Sequence, residues 1–119
     1  MPAPTSSYLA VETDRGVAVA TILCEKLSER ESQIIQAEAS AASRAAGFRL
    51  VLDCTALTFL PSVGLGMLVR LMQECRAGSG KLAVFGLADP LVEVLKITHL
   101  HKVIPMHTTR EAAIRAVTG

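Results

Sequence analysis

Aromatic side chains are scarce in this sequence of 119 residues, which contains one tyrosine, three phenylalanines and no tryptophan. The formal net charge is only +1, and the basic residues do not gather into one run. Proteins that bind nucleic acid usually combine a basic surface with aromatic side chains on which bases stack. The composition therefore argues against a nucleic-acid partner.

Cysteine pairs and long apolar runs are also missing. Cys24, Cys54 and Cys75 are scattered along the chain, which is typical of free thiols in a reducing compartment. No apolar run approaches the roughly 18 residues that a membrane span needs, and no secretory signal is recognisable at the N-terminus. We therefore expect a cytoplasmic protein that does not insert into the membrane.

What the sequence does contain is an alternation of strand-like and helix-like segments. Tyr8–Glu12 and Val17–Leu23 are β-prone runs that flank an Asp-Arg-Gly turn, a pattern that predicts a hairpin. The segments that follow are a helix over 28–46, a strand over Arg49–Asp53, a helix over 62–77, a strand over Lys81–Phe85, a helix from Asp89, a strand over Val103–Met106 and a helix from Thr108. Capping signals precede these helices at Ser28, Ser62, Asp89 and Thr108.

Strands that alternate with helices favour parallel pairing through right-handed crossovers. We therefore predict an α/β fold with a single mixed β-sheet of about five strands and about four helices. The domain is expected over residues 8–119, after a flexible tail at 1–7.

The stretch TFLPSVGLGML, residues 58–68, places one hydroxyl, Ser62, between an apolar run and a glycine-rich helix. A serine nucleophile of the α/β-hydrolase type needs Gly-x-Ser-x-Gly, and the residue two positions before Ser62 is Leu60. The three histidines lie near the far end of the chain, so the sequence places no general base beside Ser62. Hydrolase chemistry is therefore disfavoured, and we predict no catalytic residue.

Nucleotide and metal motifs fail as well. Gly64-x-Gly66 would need a third glycine at Val69, and the phosphate-loop-like Gly78-Ser79-Gly80-Lys81 leads into a strand instead of a helix. His99-x-His101 has no cysteine or acidic cluster beside it. The sequence predicts no cofactor and no metal site.

Two roles for Ser62 remain open on residue chemistry alone. As a helix cap, its hydroxyl would accept a backbone N–H bond worth about 1 kcal/mol. As a phosphorylation site, it would carry its phosphate at the positive end of a helix dipole.

Two stretches of the chain, VLDCTALTFLPSVGLGMLVRL and GSGKLAVFGLADPLVEVLKITHLHKVIPMHTTREAAI, together resemble the STAS domain. That domain is found in sulfate transporters and in bacterial anti-sigma factor antagonists. The resemblance covers nearly the whole chain and implies the mixed-sheet fold described above. It also implies a module that acts by binding a protein and is not an enzyme.

The family's loop before its second helix typically reads Asp-Ser-Ser-Gly or Asp-Ser-Thr-Gly. Here Pro61 replaces the aspartate, Ser62 keeps the first serine, and Val63 stands at the usual phosphoacceptor position. Since valine cannot carry a phosphate, the resemblance leaves three outcomes: phosphorylation at Ser62, constitutive binding of the partner, or a scaffold role without phosphorylation.

The function that the resemblance implies is partner switching with an anti-sigma factor that is also a serine kinase. The alternative is a stand-alone regulatory or scaffold subunit of a membrane transporter or lipid-trafficking complex. The implied partner-binding surface comprises Pro61, Ser62, Val63, Gly64, Met67 and Arg70. Asp53, at the end of its strand, is expected to support the loop from below.

Overall fold

Five strands form one mixed sheet in the computed structural model, which describes Ser6 and residues 8–118. They are β1 (Leu9–Asp14), β2 (Val17–Ile22), β3 (Arg49–Asp53), β4 (Lys81–Phe85) and β5 (Met106–His107), arranged side by side in chain order. The β1–β2 pairing is antiparallel and the other three are parallel. The predicted α/β fold and its opening hairpin are confirmed. The predicted tail at 1–7 lies outside the described residues apart from Ser6.

Four α-helices accompany the sheet within the described part of the chain. They are α1 (Glu29–Ala45), α2 (Ser62–Ala77), α3 (Asp89–Ile97) and α4 (Arg110–Thr118), with a short 3-10 helix at Leu100–Lys102. None of these helices combines the length and the apolar character that crossing a bilayer would require.

The sheet separates two apolar clusters. The larger one lies under α1 and α2, and the smaller one lies under α4 on the opposite face. Fully buried members of the larger cluster include Ile22, Ile35, Leu50, Leu52, Leu68 and Leu71. The smaller cluster contains Val17, Val19, Val51, Ala83, Phe85, Ala113, Ile114 and Val117. The strands β2, β3 and β4 are therefore apolar on both faces, as expected for a sheet covered on both sides.

An ion pair ties the hairpin to the last helix. The β1–β2 turn consists of Arg15 and Gly16, whose φ angles of 53° and 76° suit a two-residue hairpin turn. The guanidinium of Arg15 donates to both carboxylate oxygens of Glu111, at 2.8 and 2.6 Å. Arg110 on α4 also pairs with Glu12 of β1 at 2.6 Å.

The last strand begins later than the predicted Val103–Met106. Residues 100–102 form the 3-10 helix, and the N–H of Ile104 is bonded to the carbonyl of Leu100, so this stretch is not extended. Pro105 has no N–H to give to a ladder, and only its carbonyl accepts a bond, from Val84. The pairing with β4 is therefore limited to Met106 and His107.

Three of the four predicted caps are displaced by one residue, and the one at α2 is described with the candidate site below. Ala88 is the N-cap of α3, because it is the last residue with extended backbone angles, and Asp89 is already helical. At α4 the cap is Thr109, whose hydroxyl accepts from the N–H of Ala112 at 3.1 Å, and not Thr108. Ser28 is the N-cap residue of α1 as predicted, but its side chain makes no capping bond.

Candidate partner-binding surface at the start of α2

The segment that leads into α2 is held by backbone bonds to the chain that leads into α1. The N–H groups of Thr58 and Phe59 both donate to the carbonyl of Glu25, at 2.7 and 3.1 Å. The N–H of Leu27 returns a bond of 3.1 Å to the carbonyl of Phe59. These contacts fix the position from which α2 starts.

Proline, and not serine, caps this helix. Pro61 has φ −73° and ψ 173°, and its carbonyl accepts the first helical bonds, from Gly64 at 2.9 Å and Leu65 at 3.1 Å. Ser62 is the first helical residue, so the predicted capping role is wrong. Its side chain is exposed, and its hydroxyl has no hydrogen-bond partner in the part of the chain that the structure describes.

Two residues predicted for the binding surface are buried. Met67 has no exposed surface, because it lies on the sheet-facing side of α2 with Leu68 and Leu71. Gly64 is buried as well, and a Cβ atom added to it would lie only 2.9 Å from the carbonyl oxygen of Leu27. Including Met67 and Gly64 among surface residues is therefore wrong.

The other predicted residues lie where a partner can reach them. Ser62 and Arg70 are exposed, and Pro61 and Val63 are partly exposed. The structure adds Phe59, which is 52% exposed three residues before Ser62. Its sequence signal was weak: an aromatic side chain in an aromatic-poor protein, beside the buried Leu60. We call the set Phe59, Pro61, Ser62, Val63, Gly66 and Arg70 the α2-start surface.

The α2-start surface carries one charged side chain, that of Arg70. Arg70 is the only charged residue among the first twelve residues of α2, and the first turn has no acidic residue to offset the helix dipole. The Nε atom of Arg70 donates to the side-chain oxygen of Gln36 on α1 at 2.9 Å. An anionic group is therefore better suited to this surface than a cationic one.

Asp53 stabilises the turn directly after β3. Its carboxylate accepts from the N–H of Thr55 at 3.0 Å and from the hydroxyl of Thr55 at 2.5 Å. These bonds order the first residues of the connection between β3 and α2. Its predicted support of the loop at Pro61 and Ser62 stays a prediction.

Gly78 and Gly80, whose sequence resembles part of a phosphate loop, are needed for close packing against Phe48. A Cβ atom on Gly78 would overlap the ring of Phe48, and one on Gly80 would overlap the carbonyl oxygen of Phe48. Phe48 itself has a left-handed backbone, with φ 64°. The described residues contain no group of three histidine, cysteine or acidic side chains that could hold a metal ion.

Comparison with known proteins agrees with this architecture. The family model described as STAS domain matches residues 15–113. An anti-sigma-factor antagonist (STAS) domain protein from Planctomyces limnophilus has a similar structure, with 26% identity, coverage of 94% of this chain and 98% of the other, and a TM-score of 0.82. An anti-sigma factor antagonist from Mycobacterium paratuberculosis has 24% identity, full coverage of both chains and a TM-score of 0.82.

SpoIIAA is similar in fold in both of its solved states, with 22% identity and coverage of 91% of this chain in each case. The unphosphorylated anti-sigma factor antagonist gives a TM-score of 0.74 with 95% of its chain covered. The phosphorylated Bacillus cell fate determinant gives 0.69 with 98% covered. Since the family model spans most of the chain and the described strands and helices follow the same fold, this protein belongs to the STAS domain family.

Proposed function

We propose that this protein is an anti-sigma factor antagonist that binds an anti-sigma factor of the serine-kinase type through the α2-start surface. The observation that carries the proposal is the grouping at this surface: two accessible apolar side chains, Phe59 and Val63, flank Ser62, whose exposed hydroxyl forms no hydrogen bond with the described residues. The proposed action is binding without catalysis.

Burial of apolar surface supplies the affinity in this proposal. Exposed aromatic side chains are over-represented among the residues that dominate protein–protein binding energy, and Phe59 is the most exposed aromatic side chain of the described residues. Val63 adds apolar area directly after Ser62. Pro61 keeps the entry to the helix rigid, which lowers the entropy lost on binding.

We further propose that Ser62 is the phosphoacceptor. Its hydroxyl is exposed and is not used as a cap, so phosphorylation would break no hydrogen bond among the residues that the structure describes. A phosphate adds about two negative charges, and the only charge nearby on α2 is that of Arg70. Such a reversal of local charge dissociates a partner that has adapted to the unmodified surface.

The test is incubation with ATP, Mg²⁺ and each candidate GHKL-type serine kinase of the same genome, followed by intact-mass measurement and gel filtration. The native chain should form a one-to-one complex and then gain a single phosphate. Ser62→Ala should bind without gaining phosphate. Ser28→Ala is the matched control, because Ser28 also stands at the start of a helix and makes no side-chain capping bond; it should behave as the native chain does.

Two negative results of this experiment would have different consequences. A stable complex without phosphate would overturn the role of Ser62 and leave a constitutive antagonist. Neither complex nor phosphate with any of the kinases would overturn the antagonist function and favour a subunit of a transporter or lipid-trafficking complex.

A further inference from the structure

Gly66 is a glycine that the fold does not require. An added Cβ atom would meet only the Nη1 atom of Arg70, at 3.6 Å, which is an ordinary van der Waals distance. At Gly64, two residues earlier, the same atom would come within 2.9 Å of a backbone oxygen. Glycine inside a helix is unfavourable relative to alanine, so Gly66 lowers stability without a packing reason.

Gly66 lies on the face of α2 that belongs to the α2-start surface. Ser62, Gly66 and Arg70 are spaced four residues apart, so they follow one another along a single stripe of α2. Ser62 and Arg70 are exposed, and the guanidinium of Arg70 lies beside Gly66. The missing side chain therefore leaves a shallow notch in the middle of the α2-start surface.

Arg70 carries the charge nearest to this notch. The next residue of this stripe, Glu74, is acidic, and its carboxylate accepts a hydrogen bond from the hydroxyl of Ser40 at 2.7 Å, whereas the side-chain hydrogen bond of Arg70 is to a neutral group, the amide of Gln36. A carboxylate would form a stronger, charge-assisted bond with the same guanidinium. The notch is thus complementary to an acidic segment that approaches α2 closely.

We propose that the partner places a backbone segment directly on α2 at Gly66, and that an acidic side chain of this segment pairs with Arg70 in place of Gln36. This inference rests on the proposed function and specifies the contact that determines the partner. A side chain at position 66 would hold the partner's backbone away from the helix. The acidic character of the segment also explains how a phosphate on Ser62, one turn away, would repel it.

The first arm of the test needs no partner. Gly66→Ala should lower the equilibrium constant of unfolding about two- to fivefold in urea titrations, which corresponds to the usual preference for alanine over glycine inside helices. If Gly66→Ala is instead less stable than the native chain, the fold needs this glycine and the inference is wrong.

The second arm measures the affinity for the serine kinase that binds the native chain. Gly66→Leu should weaken binding at least tenfold, whereas Ala77→Leu, an exposed change in the last turn of α2, should leave it unchanged. Arg70→Gln should weaken binding about tenfold and reduce its salt dependence, whereas Arg76→Gln should not. Kinase binding that tolerates both Gly66→Leu and Arg70→Gln overturns the inference while leaving the proposed function intact. Absence of binding by the native chain overturns both.

Discussion

Gly64→Ala should destabilise the protein, although alanine is the better helix former. The added methyl group would lie 2.9 Å from both the carbonyl oxygen of Leu27 and the Cδ1 atom of Leu60. The oxygen cannot retreat freely, because it accepts the hydroxyl of Ser32 at 3.0 Å while the N–H of Leu27 is bonded to Phe59. The methyl group therefore has to displace backbone.

The expected magnitude follows from two opposing terms. Replacing glycine inside a helix gains at most about 1 kcal/mol, whereas forcing an extra methyl group into a packed site costs about 1–3 kcal/mol. We expect a net loss of about 0.5–2 kcal/mol in the free energy of unfolding, measured by urea titration. Gly66→Ala is the internal control, since it should shift stability in the opposite direction. A Gly64→Ala variant as stable as the native chain would refute the close packing of α2 on Leu27.

Three further predictions test other parts of the structure. The hydrogen bond from Arg15 lowers the pKa of Glu111 from 4.5 to about 2. This pair therefore stabilises the fold above about pH 4.5, and the stabilisation is lost as the pH falls towards 2. Between these pH values, the urea midpoint of Glu111→Gln should fall less than the urea midpoint of the native chain. Gly80→Ala should lower the free energy of unfolding by more than about 1 kcal/mol, because its methyl group would overlap the carbonyl oxygen of Phe48; a neutral effect in a urea titration would be evidence against this contact. Burial raises the pKa of all three thiols, but Cys54 and Cys75 have no exposed surface whereas Cys24 is partly exposed. Cys24 should therefore be the first thiol that a disulfide reagent such as Ellman's reagent labels in the native protein, and prompt labelling of all three would contradict the described core.

Local patterns were sufficient to predict the sheet and most of its helices. Apolar runs such as Arg49–Asp53 and Lys81–Phe85, separated by helical spacing, already imply parallel strands joined by crossovers. The positions of single caps were less predictable. A capping residue is defined by its backbone angles. Residue preferences alone favour the hydroxyl residue Ser62 as the cap of α2, but Pro61 has the extended conformation that defines it.

The candidate site could be predicted only in part. The buried stripe of α2 is wide enough to include Met67, whereas Leu65, two residues earlier, is only partly buried. The spacing therefore indicated an apolar face without fixing its edges. The exposure of Phe59 depends on backbone bonds to Glu25 and Leu27, more than thirty residues away, and no local pattern encodes such a contact.

Displacement of a sigma factor is the most direct test of the central claim, that the α2-start surface binds an anti-sigma factor. A preformed complex of a sigma factor and its anti-sigma kinase, taken from the same genome, would be titrated with this protein while free sigma factor is measured. We expect stoichiometric release by the native chain, loss of release with Phe59→Asp, and normal release with Ile97→Asp, a control at a side chain that is 75% exposed on α3. Equal release by the native chain and Phe59→Asp, or no release from any such complex, would contradict this claim.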